Sequence, residues 1–161
     1  MKSKHPTRAD IQAQNNFYRQ ALGENKMKIY IAARFSNRHI ANGLAHFMKR
    51  CGHTITSRWV LPNSDHVIPV GMSEQAADDE RRRFAREDLY DLDHCDWCIS
   101  LMEQPRGNGR GGRHVEFGYA LALNKRLFVI GPRETVFHNL DRVEWFQSIA
   151  EFKTFIINVG K

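Results

Sequence analysis

Three apolar runs of strand length punctuate the chain: "MKIYIAA" (27–33), "WCISLM" (97–102) and "RLFVIG" (126–131). Runs this short, apolar throughout, suit strands covered on both faces. The first two are followed by a turn and then a helical pattern. Strands alternating with helices predict a parallel sheet. The expected fold class is therefore α/β: a Rossmann-like (flavodoxin-like) parallel sheet of about five strands with helices on both faces. Its ligand is expected beyond the carboxyl ends of the strands. With 161 residues, 42% of them hydrophobic and 26% charged, the chain has the size and composition of one globular domain.

Between the runs, "RFSNR" turns the chain, with Ser36 or Asn37 as a helix N-cap. Ile40, Leu44, Phe47 and Cys51 then share one helical face that stops at Gly52. Residues 53–60 alternate in the manner of a second strand. Ser73 opens a long polar helix that turns Ala77, Phe84, Ala85 and Leu92 towards the core. Another helix is expected from about residue 113 to residue 124, and the chain closes with "VEWF" and the amphipathic "SIAEFKTFIINV". Residues 1–26 read as a partly helical N-terminal extension, and residues 27–161 as the body.

A formal charge of +6 points to an anionic partner. Three cysteines, an odd number, argue for a reducing compartment, with the cytoplasm expected. No run reaches the roughly 18 apolar residues of a membrane span, and the polar N-terminus has no signal core.

The loop "QPRGNGRGGR" carries four glycines and three arginines, and a helix start with a single acid, Glu116, follows it. In the first turn of that helix the macrodipole would favour an ionised carboxylate. From position alone two readings stay open: Glu116 complements the dipole, or it serves a site. Asp88 lies four residues after Phe84 and four before Leu92, on a core-facing stripe. An acid there either exits into a cleft or pairs with a buried arginine. Asp91, Asp93 and Asp96 read as solvated or capping acids. Two carboxylates in different environments can serve as acid and nucleophile for a glycosidic bond.

Taken together, "KIYIAARFSNR", "FAREDLYDLDHCDWCISLM" and "GGRHVEFGYALALNKRLFVIGP" resemble the nucleoside 2-deoxyribosyltransferase superfamily, over residues 27–139. Its closest branch is that of the 2'-deoxynucleoside 5'-phosphate N-hydrolases. The most specific piece is Glu116-Phe117-Gly118-Tyr119-Ala120, where Gly118 would let the helix pack close to the sheet. The resemblance implies Glu116 as nucleophile at C1' and Asp88 as the acid that protonates or orients the departing base. It implies Tyr30 as an aromatic beside the sugar. Arg34, Phe35, Ser36, Asn37 and Arg38 would close over base or phosphate, and His138 and Asn139 would complete a neighbour's site in a homodimer or larger homo-oligomer. No metal and no cofactor are implied.

Where transferases carry an acid and a small hydroxyl residue, this chain has Arg110-Gly111-Gly112-Arg113. That change favours a nucleoside 5'-monophosphate over base exchange on a free nucleoside. Arginine can hold a phosphate bidentately while Gly111, Gly112 and the helix N-terminus complete the cradle, with Arg113 foremost and Arg110 and Arg106 behind it. The expected activity is N-glycosidic hydrolysis of a nucleoside 5'-monophosphate. Base exchange between nucleosides, NAD-type glycohydrolysis and nucleotide binding without catalysis are the alternatives. "HCDWC" lacks matched ligands for zinc and reads as core thiols. "PRGNGRGGR" is a single short RGG-like copy, so a nucleic-acid partner is not expected.

Overall fold

The computed structural model describes residues 26–102 and 111–159. The expected extension lies almost wholly outside the described residues, as do Arg106 and Arg110. Five strands form one sheet: β1 (Lys28–Ala32), β2 (Thr54–Ile55), β3 (Trp97–Leu101), β4 (Arg126–Ile130) and β5 (Val143–Phe146). Their order is β2-β1-β3-β4-β5, and every neighbouring pair is parallel. The α/β class and the strand number agree with the sequence pattern.

Helices α1 (Arg38–Arg50), α2 (Glu74–Asp93), α3 (Gly112–Ala122) and α4 (Ile149–Val159) cover the sheet. Right-handed crossovers send α1 to one face and α2 and α3 to the other, because the chain reverses direction between β1 and β3. Lys153 of α4 lies 5.0 Å from the ring of Phe47 in α1, and the Tyr119 hydroxyl of α3 donates to Asp93 at the end of α2. Strand register sorts the core between these layers. Tyr30 stands opposite Cys98, and Cys98 opposite Leu127, towards α2 and α3. Phe128 faces the other way and meets Phe152 and Phe155 of α4 at 5.5 and 6.2 Å.

The second strand is shorter than its alternation predicts. Beyond Ile55 the chain leaves the sheet and side chains take over its hydrogen bonds. Ser57 Oγ accepts from the Ile31 N–H at 3.1 Å, and the Trp59 indole donates to the Ile31 carbonyl at 3.0 Å. A 3-10 turn, Arg58–Val60, follows and buries Trp59. Two residues expected in the core, Ile40 and Ala85, are exposed instead. The cysteines Cys51, Cys95 and Cys98 are free and buried, in keeping with core thiols.

Asp91 overturns its reading as a solvated acid. It is 4% exposed and accepts from the Arg58 backbone N–H at 3.0 Å and from its guanidinium at 2.7 Å. This pair fastens the turn after β2 to α2. On the opposite side of the sheet centre, Gly131 (φ 102°) brings backbone to backbone. A side chain there would put its Cβ 2.5 Å from the Met102 carbonyl oxygen.

Gly118 does not have the close-packing role expected of it. It is exposed, and a Cβ added there meets no atom within 4 Å. An exposed glycine within a helix costs about 1 kcal/mol relative to alanine. Gly118→Ala should therefore raise the melting temperature by about 2–4 °C. A lower melting temperature would mean that this face of α3 is covered in solution.

Candidate active site

The chain reverses between β1 and β3, the switch point at which a sheet of this kind leaves a crevice. A cavity of about 550 Å³ opens at this point. Ala33, Arg34, Phe35 and Ser36 line it after β1, Gly111, Gly112, Arg113 and Glu116 from the start of α3, and Asp88 and Phe84 from α2. Trp59 and His66, from the segment after β2, complete the wall. Tyr30 is fully buried beneath it.

Tyr30 organises the floor. Its hydroxyl donates to Glu116 Oε1 at 2.8 Å and also reaches the Asp88 carboxylate. Glu116 Oε2 and Asp88 Oδ1 are buried without a hydrogen-bond partner. Glu116 does not occupy the first turn of its helix. It lies four residues beyond Gly112, the first helical residue, where the macrodipole has little hold. Burial dominates instead, followed by the neighbouring Asp88 charge, and together they push Glu116 from its ordinary 4.5 up to about 8. Burial likewise pushes Asp88 from 3.8 up to about 7, with Asp91 and Glu87 adding to the rise. Tyr30's hydrogen bond works the other way in both. Near neutral pH the pair holds on the order of one proton between two carboxylates.

Gly111, with φ 81°, is the left-handed residue that turns the loop into α3. The His114 N–H bonds the Gly111 carbonyl at 2.9 Å, which leaves the Gly112 and Arg113 amides as the helix-end donors that an anion can take. Arg113 lines the cavity, but its guanidinium is bonded to Glu134 at 2.5 Å, with both side chains under 10% exposed. Glu134 belongs to the loop after β4, so the pair ties that loop to the start of α3.

Among the residues implicated by sequence, Tyr30, Arg34, Phe35, Ser36, Asp88, Gly111, Gly112, Arg113 and Glu116 come together here. Arg38 instead donates to the Leu61 carbonyl at 2.5 Å, holding the loop beyond Trp59. Asn37 lines a separate hollow of about 410 Å³ with Ile40, Met102 and Gly131. His138 is 1% exposed, packs edge-on against Phe117, and accepts from the Glu134 N–H. It is turned into its own chain rather than towards a neighbour. Asn139 is exposed and bonds the Thr135 carbonyl.

Trp59, Phe84 and His66 were missed as site residues. Trp59 stands just past the end of a strand, the position from which side chains reach a crevice, and that was the available signal. Asp65, His66 and Glu87 bring ligand atoms within 4.8 Å of one another, the one such group among the described residues. Arg83 already bonds Asp65 and Glu87, however, and supplies the positive charge a cation would bring.

This is a doubly wound α/β protein with a carboxylate pair at its switch point. No protein-family model and no curated protein matches the sequence. Several solved structures share the fold, two enzymes among them. The 2-deoxyribosyltransferase of Bacillus psychrosaccharolyticus is 17% identical with a TM-score of 0.59, over 78% of this chain and 90% of that one. The CMP N-glycosidase of Clostridium botulinum is 17% identical with a TM-score of 0.51, over 80% of this chain and 97% of that one. The fold implied by the sequence resemblance is thus the fold observed.

Two outcomes follow from the buried charges. Folded values above the unfolded ones mean that the fold favours protonated Glu116 and Asp88. That contribution is complete below about pH 4 and is lost as pH rises through about 7 to 8. Glu116→Gln should accordingly be more stable than the parent at pH 9 by at least about 1 kcal/mol, with little difference at pH 4. Denaturant melts at both pH values read this directly. Arg113→Met should lose about 3 kcal/mol, because Glu134 is left buried and unpaired. Melting unchanged at neutral pH would show that Glu134 reaches solvent.

Proposed function

We propose that this protein is an N-glycosidase that hydrolyses the base–sugar bond of a nucleoside 5'-monophosphate, with residues 27–161 as its catalytic unit. The observation that carries this reading is the pair Glu116 and Asp88, joined through the Tyr30 hydroxyl at the floor of a cavity. A pair sharing one proton supplies the two groups the reaction needs: a carboxylate and a carboxylic acid. Glu116 attacks C1', the C1'–N bond breaks, and Asp88 gives its proton to the departing base. Water then attacks C1' of the glycosyl ester, Asp88 takes a proton from that water, and Glu116 is released with the sugar phosphate. The tyrosine hydroxyl holds Glu116 on one oxygen and leaves Oε2 for the sugar.

The cavity is divided in a way that suits such a substrate. Phe35, Trp59 and Phe84 offer flat apolar surface for a base. Gly111, Gly112 and the N-terminus of α3, with Arg34 and Ser36, offer amide and cationic donors for a phosphate. In this reading Arg113 shapes the cradle through Glu134 and holds no phosphate itself. The fold likeness to a CMP N-glycosidase and to a deoxyribosyltransferase supports the same bond as target. In deoxyribosyl transfer a second base would replace water at the glycosyl ester.

The test is chromatography of the purified protein with deoxynucleoside and ribonucleoside monophosphates, free nucleosides and NAD, with and without a second base. Base release confined to monophosphates is expected, and Glu116→Gln should reduce kcat by about a thousandfold or more while nucleotide binding persists. Exchange with the added base would make transfer the activity. Tight nucleotide binding with no release from any substrate would make the protein a binder, and full activity in Glu116→Gln would remove the nucleophile.

A further inference from the structure

His66 comes from the loop after β2 and has no part in the chemistry described so far. Its side chain is 5% exposed and its ring stacks on Phe84, with centroids 4.5 Å apart and planes 22° from parallel. Ser64 meets the ring at Nδ1. The Ser64 hydroxyl oxygen accepts from the His66 backbone N–H at 3.2 Å and lies 3.0 Å from Nδ1. We take the hydroxyl hydrogen as donated to Nδ1, which also has Asp65 Oδ1 3.7 Å away. A neutral ring must then carry its own hydrogen on Nε2.

Nε2 faces two carboxylates, 3.3 Å from Glu87 Oε2 and 3.9 Å from Asp88 Oδ1. All three atoms are buried and none has a hydrogen-bond partner in this arrangement. Asp88 Oδ1 is the more distant of the two acceptors, and a turn of the ring or of the Asp88 side chain is needed to close that contact. Burial lowers the ring's pKa from its ordinary 6.5, opposed by Glu87 and Asp65 and helped by Arg83 and Arg58.

From this geometry we infer that His66 is a positioning residue for Asp88: its Nε2–H holds Oδ1 and leaves the other carboxylate oxygen turned to the leaving base. The inference rests on Asp88 being the acid of the proposed reaction. The same N–H stands between Asp88 and Glu87 and keeps two adjacent acids from competing for one orientation.

His66→Phe keeps the stack on Phe84 and removes the N–H. It is expected to lower kcat by about tenfold or more, the scale of a misplaced catalytic group, with KM changed less than about threefold. The alkaline limb of the kcat profile should move to higher pH. A donor to the carboxylate favours its ionised form, so losing the donor raises Asp88 further. The other groups facing Asp88, namely Tyr30, Asp91, Glu87, Arg58 and Glu116, are unchanged by the substitution. His66→Gln, which restores an N–H, should recover part of kcat. An unchanged kcat and profile in folded His66→Phe would overturn the inference.

Nitrogen-15 NMR of the wild-type imidazoles decides the matter without any variant of His66. The Nε2–H tautomer is expected, with a His66 signal that moves in Asp88→Asn. An Nδ1–H tautomer, or a signal indifferent to Asp88→Asn, overturns the positioning role. Absence of base release from the wild type would instead sink the proposed reaction and leave these two spectra still able to test the contact.

Discussion

Tyr30 places a phenol in the centre of a strand that solvent does not reach, between β2 and β3, and its hydroxyl must find an acceptor there. A buried hydroxyl left without one would cost about 1–3 kcal/mol. Glu116 provides that acceptor from the far side of the layer, and the bond fixes α3 against β1. The same bond draws a carboxylate below the surface, where its charge loses hydration. With Asp88 beside it, the floor of the cavity holds two acids that cannot both ionise freely near neutral pH. Packing and acid–base character thus have a common origin in one hydroxyl.

Two arginines near the cavity have carboxylate partners outside that pair, although Arg58 still lowers Asp88 a little through its charge. Arg58 is committed to Asp91, and Arg113 to Glu134. Both arginines lie close enough to tighten the loops around the site, yet each has a carboxylate of its own. Had either guanidinium turned to Asp88 or Glu116, the acid would be held ionised, and its proton would be lost as a resource for chemistry. Paired charges at the edge and unpaired ones at the floor are therefore complementary features. The first gives the loops their positions, and the second gives the floor its chemistry.

The parallel sheet was legible because a strand buried on both faces has to be mostly apolar. β1 and β4 are so after an exposed Lys28 or Arg126 at their starts, and β3 is but for Ser100. The long helix was legible from Ser73, whose hydroxyl does accept from the Ala76 N–H. Asp88 could be singled out because its spacing from Phe84 and Leu92 put it on the inner stripe. Asp91 was misread for a related reason: spacing along a helix gives the direction a side chain leaves, and nothing about what waits there. Its partner, Arg58, comes from a turn whose position depends on how the chain exits β2. His66 is the extreme case. Its distance to Asp88 is set by the path of the loop between β2 and α2, which carries no periodicity to read. Glu116 was assigned to the first turn of a helix expected from about residue 113. The helix begins one residue earlier, at Gly112, and burial, which the sequence does not display at this position, reverses the electrostatic argument.

On the proposed reaction, the order of events follows from the charges. A phosphate entering beside the start of α3 adds negative charge to a cavity that already holds two acids, and like charge favours the protonated form of both. Binding would therefore keep the proton on the pair rather than expel it, which is the state in which an acid can still serve the leaving base. The opposite requirement, one ionised carboxylate for the sugar, is helped by the Tyr30 hydroxyl, since a hydrogen bond to the charged form favours it. Tyr30 donates to Glu116 over a distance of 2.8 Å and so opposes the burial that lifts it. Glu116 at about 8 still stands above Asp88 at about 7, and the reaction requires the shared proton to pass to Asp88 once the substrate is bound. The helix end and the excess of basic residues then offset the phosphate's own charge enough for it to approach at all.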